Sequence, residues 1–263
     1  MKNLSDKEQL LKLVNEKTKM VAMLAPSFLI DFHYPVIIGM LKRLGFSFVV
    51  EVSAGAIKTN QQLRALLKLH PEKKYISNAC PGIVQLIKNK YPDLVHFLAP
   101  IDTPMLAIAK IVEEKYPNHK KVFIGPCLMK KVEARENPEL DILVLTYKEI
   151  AEIFEIKNMV EEKQDNSQSF DIVGQKARLY PISGGLAQSS GLIKNLTDPE
   201  CDVVSGSELI EKAILNFPND SDIKFLDILS CDGGCVNGPG IISKDSLDKR
   251  RQKVIDYWVS DSK

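Results

Sequence analysis

The sequence predicts an α/β fold with mostly parallel strands. Two observations carry this expectation. Short β-branched and apolar runs alternate with segments of helical periodicity along the 263 residues. Ser/Thr-x-x-Glu/Gln boxes and isolated glycines punctuate the joins between them.

Taken in order, Ser5-Asp6-Lys7-Glu8 is a capping box that opens a helix with Leu10, Leu11 and Val14 on one face. A strand is expected at 21–24. The helix over 34–44 ends at Gly45, a glycine suited to the left-handed turn that stops helices. A strand at 48–52 is followed by Thr59-Asn60-Gln61-Gln62, read as a second box opening a helix through Leu63, Leu66 and Leu67. Strands at 74–77, 122–124 and 142–145 come next, and Thr146-Tyr147-Lys148-Glu149 is a third box. The segment 161–169 is polar and aperiodic and is read as an exposed loop. Further strands are expected at 177–180, 202–204 and Phe225–Leu229, before a short Lys/Arg-rich helix at 249–259. Eight strands suit two small sheets or one large one. The whole chain, 1–263, is expected to form one domain, with approximate lobes 1–115 and 116–240 and a final helix within 241–262.

Composition narrows the function classes. Hydrophobic content of 44% and charged content of 26% are those of a globular protein, and a net charge of +1 argues against a broad nucleic-acid surface. No apolar run reaches 18 residues, so no membrane span is expected, and the first residues lack a signal-peptide core. These features read as cytoplasmic. In a reducing compartment, the five cysteines are thiols or metal ligands rather than disulfides.

The cysteines sit at informative places. Cys80 ends a strand and precedes Pro81, a residue favoured in a helix's first turn, so Cys80 is expected at a helix N-cap. Cys127 follows the 122–124 strand after Gly125-Pro126, and Cys231 follows Phe225–Leu229. All three fall at carboxyl ends of parallel strands, where α/β folds hold ligands. Cys231-Asp232-Gly233-Gly234-Cys235 pairs two thiols around glycines that let the backbone fold closely. Cys201 opens a strand and is assigned to packing.

Ala25-Pro26-Ser27, Asn78-Ala79-Cys80-Pro81-Gly82, Pro126-Cys127-Leu128-Met129-Lys130-Lys131-Val132-Glu133, Ser183-Gly184-Gly185 and Ser230-Cys231-Asp232-Gly233-Gly234-Cys235 occur in this order. With them the chain resembles the catalytic, H-cluster-binding domain of [FeFe]-hydrogenases, and in its length the short stand-alone members of that family. The resemblance implies two lobes of mostly parallel sheet flanked by helices, with the metal cluster between them. It implies a [4Fe-4S] cluster on Cys80, Cys127, Cys231 and Cys235. Cys235 would also bridge to a diiron subsite carrying CO, CN and azadithiolate. Lys130, Ser27 and the backbone beside Pro26 would donate to the cyanides, and Gly184 falls in a matching segment. The implied activity is reversible reduction of protons to H2. Electrons would come from a soluble donor such as ferredoxin, and the subsite from hydrogenase maturation enzymes; neither nucleic acid nor membrane is an expected partner.

Several positions depart from the family pattern. Ala79 stands where efficient members carry a proton-shuttling cysteine, and a methyl group carries no proton. Gln61 and Gln62 fall near the acidic relay helix, while Glu133 keeps a relay carboxylate. Gly125 and Leu229 replace two methionines, and Met105, beside Thr103-Pro104, replaces a glutamine. Such substitutions resemble the sensory branch, so a hydrogen or redox sensor is the alternative. A noncatalytic iron–sulfur assembly relative is a third reading.

Overall fold

The computed structural model describes residues 4–192 and 200–260. Seven strands form two parallel sheets. The first contains β1 (Met20–Leu24), β2 (Phe48–Glu51), β4 (Lys120–Gly125) and β5 (Ile142–Thr146), in the order β2-β1-β4-β5. The second contains β3 (Tyr75–Ile76), β6 (Cys201–Ser205) and β7 (Phe225–Leu229), in the order β3-β7-β6. Central β1 and β7 are buried along their whole length. That is why they read as unbroken apolar runs: helices cover both faces of a parallel sheet.

The sheets do not divide the chain at residue 115. β3, from the first half, pairs with β7, while β4 and β5, from the second half, pair beside β1. The expected lobes 1–115 and 116–240 are thus interleaved, because parallel strands pair through crossovers and not by sequence proximity.

The helices are α1 (Asp6–Asn15), α2 (Val36–Leu44), α3 (Val52–Leu69), α4 (Pro81–Lys90), α5 (Pro104–Lys115), α6 (Lys130–Glu136), α7 (Tyr147–Ile156) and α8 (Gly185–Ser190), followed by Ser207–Asn216 and Leu247–Ser260. Both expected boxes at Ser5 and Thr146 are made, each with its glutamate bonded back to the cap N–H. The box expected at Thr59 is not. α3 begins directly after β2 at Val52, so Thr59 lies inside the helix and its hydroxyl donates to the Gly55 carbonyl.

Two other expectations change. The segment 177–180 is no strand but a turn after a one-turn 3-10 helix, Gln175–Ala177. There Arg178 turns inward to bond Glu51 (Nε to Oε1, 2.8 Å), an ion pair almost wholly buried. The 161–169 segment is more than an exposed loop. Asp165, 1% exposed, takes Arg43 Nε and Nη2 on its two oxygens at 3.0 and 2.8 Å and packs its backbone on Gly39 of α2. The final helix stops at Ser260 among the described residues; 261 and 262 lie outside them.

Among the described residues, no helix is long and apolar enough to cross a membrane. The largest core cluster lies around the four-stranded sheet, and two smaller clusters lie around the three-stranded one. All strand C-termini that carry expected site residues therefore come from two adjacent frames.

Candidate metal centre

Cys80 is the N-cap of α4, with Pro81 in the first turn, as its sequence context predicts. Its thiol lies 3.3 Å from the Ser230 hydroxyl. Cys127 follows β4 and Pro126. Burial raises its thiol pKa; the Lys130 ammonium and the Lys130 and Met129 N–H groups act the other way, and a charge on Cys80 adds to the rise. Cys231 and Cys235 follow β7. Burial, then Cys127 and Cys80, push Cys231 up to about 11. Burial holds Cys235 well above the thiol range, reinforced by Cys127, Cys80 and Cys231 and opposed by Lys130. The four thiols thus share one electrostatic neighbourhood, Cys127 from the first sheet and the others from the second. Among the described residues no three of them, with or without His, Asp or Glu, converge closely enough for a single metal ion. Iron bound by these thiols would drive off the protons that burial now retains.

The Cys231–Cys235 turn is built by its glycines. Gly233 and Gly234 hold φ +71° and +103°. A Cβ on Gly234 would lie 2.5 Å from the Pro181 carbonyl oxygen. Their N–H groups are engaged within the protein: Gly233 N–H donates to Ser205 Oγ and Gly234 N–H to the Cys231 carbonyl. Ser183 N–H and Val236 N–H bond across this turn to the Gly233 and Pro181 carbonyls. Gly240 N–H donates to Pro126 at 2.8 Å, tying the turn to the Cys127 loop.

Beside the thiols is a cavity of about 80 Å³, walled mostly by apolar groups. Of the residues singled out in the sequence, Pro26, Ser27, Ala79, Met105, Cys127, Lys130, Leu229 and Cys235 line it. Cys80, Cys231, Thr103, Gly125, Glu133 and Gly184 do not. Gly125 stands behind the wall: a Cβ there would meet the Phe123 ring at 2.6 Å, so Phe123 fills the space a longer side chain would need. Gly184, at φ +81°, packs on Val203 and opens α8. Gln62 reaches away from the cavity, its amide holding Asp102 N–H and Oδ2. Cys201 opens β6 among apolar neighbours, in keeping with packing.

Lys130 is 8% exposed, and its Nζ lies 2.5 Å from Glu133 Oε2. The angle is not that of a hydrogen bond, and both atoms are buried without a hydrogen-bond partner. Glu133 Oε1 is held by the Thr103 hydroxyl at 2.5 Å. Lys130 therefore brings an unsatisfied cationic donor to the cavity wall. Ser27 Oγ is 2.8 Å from Tyr147 Oη, which itself donates to the Ala25 carbonyl at 2.9 Å. The tyrosine has one proton, so Ser27 donates to the tyrosine and must rotate to serve a ligand.

The cavity also includes Val52, Phe123, Tyr180, Leu186 and Asp227. Sequence reasoning missed these, along with Tyr147. A lone Asp inside the apolar run Phe225–Leu229 was the one available signal.

A family model described as iron only hydrogenase large subunit, C-terminal domain, matches residues 18–239. The chain belongs to this family. Among curated relatives, iron hydrogenase 1 of Clostridium pasteurianum is 26% identical over 252 residues, covering 76% of this chain and 44% of that one. A probable cytosolic Fe-S cluster assembly factor, oxy-4 of Caenorhabditis elegans, is 22% identical over 275 residues, covering 84% of this chain and 60% of that one. The chain thus spans about half the length of the curated relatives it matches. A variant of [FeFe]-hydrogenase HydA1 from Chlamydomonas reinhardtii superposes with TM-score 0.71 at 18% identity, covering 96% of this chain and 88% of that structure. The iron-only hydrogenase fold is therefore shared, and the family implies iron–sulfur binding. The residues present fit such a group: four neighbouring thiols, an apolar wall and a buried ammonium that is ion-paired with Glu133 but makes no hydrogen bond.

Proposed function

We propose that this chain is the catalytic unit of an iron-only hydrogenase, interconverting two protons and two electrons with H2. One observation carries the reading: Lys130 Nζ, buried and without a hydrogen-bond partner, lines the same cavity as Cys235. Glu133 balances the charge of this ammonium but takes no hydrogen bond from it, and buried N–H donors are costly unless an acceptor meets them; a cyanide-bearing diiron subsite supplies one.

Cys80, Cys127, Cys231 and Cys235 hold a [4Fe-4S] cluster. Cys235 and Cys127 both reach the cavity, unlike Cys80 and Cys231; it is the place of Cys235 in its motif that would make it the link to the subsite. When bound, the subsite supplies redox-active iron with CO and CN ligands and a basic azadithiolate amine. Lys130 donates a charge-assisted hydrogen bond, contributing about 1.5–3 kcal/mol to retention. Glu133, fixed by Thr103, holds the ammonium from behind. Ser27, once turned from Tyr147, and the backbone beside Pro26 would serve the other cyanide. Met105, Phe123 and Leu229 keep water out. A soluble one-electron donor of the ferredoxin class provides electrons in the cytoplasm, and maturation enzymes deliver the subsite.

A sensory role remains the second reading, favoured by Ala79 at the cavity wall where a thiol would carry protons. The assembly-factor reading has the resemblance to oxy-4 in its support, yet beyond the ion pair with Glu133 it gives the Lys130 donors no acceptor. The test is to load purified protein with iron, sulfide and a synthetic diiron carbonyl–cyanide complex, then record its infrared spectrum. Protein-bound carbonyl and cyanide bands, with H2 evolved from reduced methyl viologen, are expected. Absence of those bands would sink both the hydrogenase and the sensor; bands without H2 would favour the sensor.

A further inference from the structure

Proton supply is the weak point of the site, because Ala79 lines the cavity with a methyl group and Gln62 is turned away to Asp102. Resting on the function proposed above, we infer that Asp227 takes over this task, acting as the proton-carrying acid at the cavity wall. Asp227 lies within β7 and is 2% exposed. It is the one carboxylate among the cavity's described lining residues. Among the described residues its one hydrogen bond comes from Ala187 N–H to Oδ2, at 3.1 Å. A fully buried carboxylate with one donor is poorly solvated in its charged form, and burial pushes its pKa up to about 6 against that single bond. An acid of that strength can be protonated and emptied near neutral pH, as a relay requires.

The groups facing it do not compete for this titration. Tyr180 and Cys201 stand beside it, and Asp227 opposes the ionisation of both. Burial holds Tyr180 well above the ordinary phenol value and Cys201 at about 12, so each keeps its proton. Lys130, Cys127 and Cys235 lie elsewhere on the cavity lining. On the outer flank, Tyr180 Oη donates to Asn60 Oδ1 at 2.7 Å, and Asn60 Nδ2 donates to the half-buried Ser189 Oγ at 3.3 Å. Among the described residues no hydrogen bond joins Asp227 to this chain, so solvent protons returning on this polar side would reach the carboxylate through water.

The balance is simple. Each transfer breaks one O–H bond of Asp227, gives that proton to the basic amine the subsite would supply and leaves a carboxylate, which a hydronium ion from solvent reprotonates, releasing water. Two such protons and two electrons from a one-electron carrier make one H2.

A structural role would be different: Asp227 accepts from the third residue of α8 and so caps that helix. Asn can accept the same bond at the same size but carries no acidic proton, whereas Glu carries the proton at a different reach. The two roles therefore rank these variants in opposite order. Protein loaded as above is assayed with reduced methyl viologen across pH 5 to 9. Asp227→Asn should keep its carbonyl and cyanide bands, lose at least about tenfold in rate and lose the inflection near pH 6. Asp227→Glu should stay within about threefold of wild type and keep an inflection. In unloaded protein, the infrared C=O stretch of a buried carboxylic acid should titrate near pH 6 and vanish in Asp227→Asn. Asp227→Asn within twofold of wild type overturns the relay, as does Asp227→Glu being as slow as Asn with bands intact. Should Asp227→Asn lose the bands, wild type and Asp227→Glu decide: the relay is overturned if no carboxylic acid titrates near neutrality. A wild type without bands overturns the proposed function and the relay together, whereas bands with an unaltered Asn rate overturn the relay alone.

Discussion

Lys130 and Asp227 are both buried polar groups, and opposite physics governs them. Lys130 is matched by Glu133 at 2.5 Å, so removing it strands a buried carboxylate. Breaking such a pair typically costs about 3–5 kcal/mol. Lys130→Ala should lower unfolding free energy by about that much, measured by denaturant titration. It should also abolish retention of the diiron subsite while the [4Fe-4S] absorption remains; loss of both would show the lysine serves the cluster instead. Asp227 has no cation partner, and its folded pKa of about 6 lies above the ordinary 3.8. A group raised in this sense stabilises the fold fully below pH 4 and loses that contribution as pH rises through 6. The change amounts to about 3 kcal/mol. Wild type should therefore weaken between pH 4 and 7 relative to Asp227→Asn, and parallel unfolding curves for the two would refute it.

At the scale of elements, Glu51 shows how one strand end organises its surroundings. It closes β2, and its Oε1 accepts from Arg178 Nε and from Tyr257 Oη of the last helix at 2.8 and 2.7 Å. Its Oε2 accepts from Gly174 N–H and Ser53 Oγ at 2.8 and 3.2 Å. The Arg178 guanidinium also stacks 3.8 Å over the Tyr257 ring. Arg178→Met should cost about 3–5 kcal/mol and should speed proteolytic release of the last helix; unaltered protease resistance would mean the helix is held by its apolar face alone. The same residues explain where sequence reading stopped. Strands β1, β4, β5 and β7 were legible because burial on both faces makes apolar runs. The 177–180 run looked alike, but its arginine pairs with a glutamate 127 positions earlier, a long-range match no local pattern carries. Thr59 misled in the converse way, since a true box needs a break before it and Glu51 passes straight into α3.

For the whole molecule, the site was more legible than the frame around it. Cys80, Cys127, Cys231 and Cys235 could be singled out as candidates because strand ends and glycine turns leave local marks. The cavity's far wall was not, since Val52, Phe123, Tyr180 and Asp227 gain their meaning only when the two sheets meet. The lobes failed for the same reason. The chain runs from the first sheet to the second at β3, back at β4, and out again to β6 and β7, so no cut in sequence separates them.

That interleaving has a consequence for how the protein is made. Cys80 is translated 155 residues before Cys235, and until β7 exists β3 has only its bridge to Leu98. A ribosome-bound chain that has exposed only Cys80 and Cys127 holds loose thiols and an incomplete second sheet. The set of four thiols is therefore complete only once nearly the whole chain has been made.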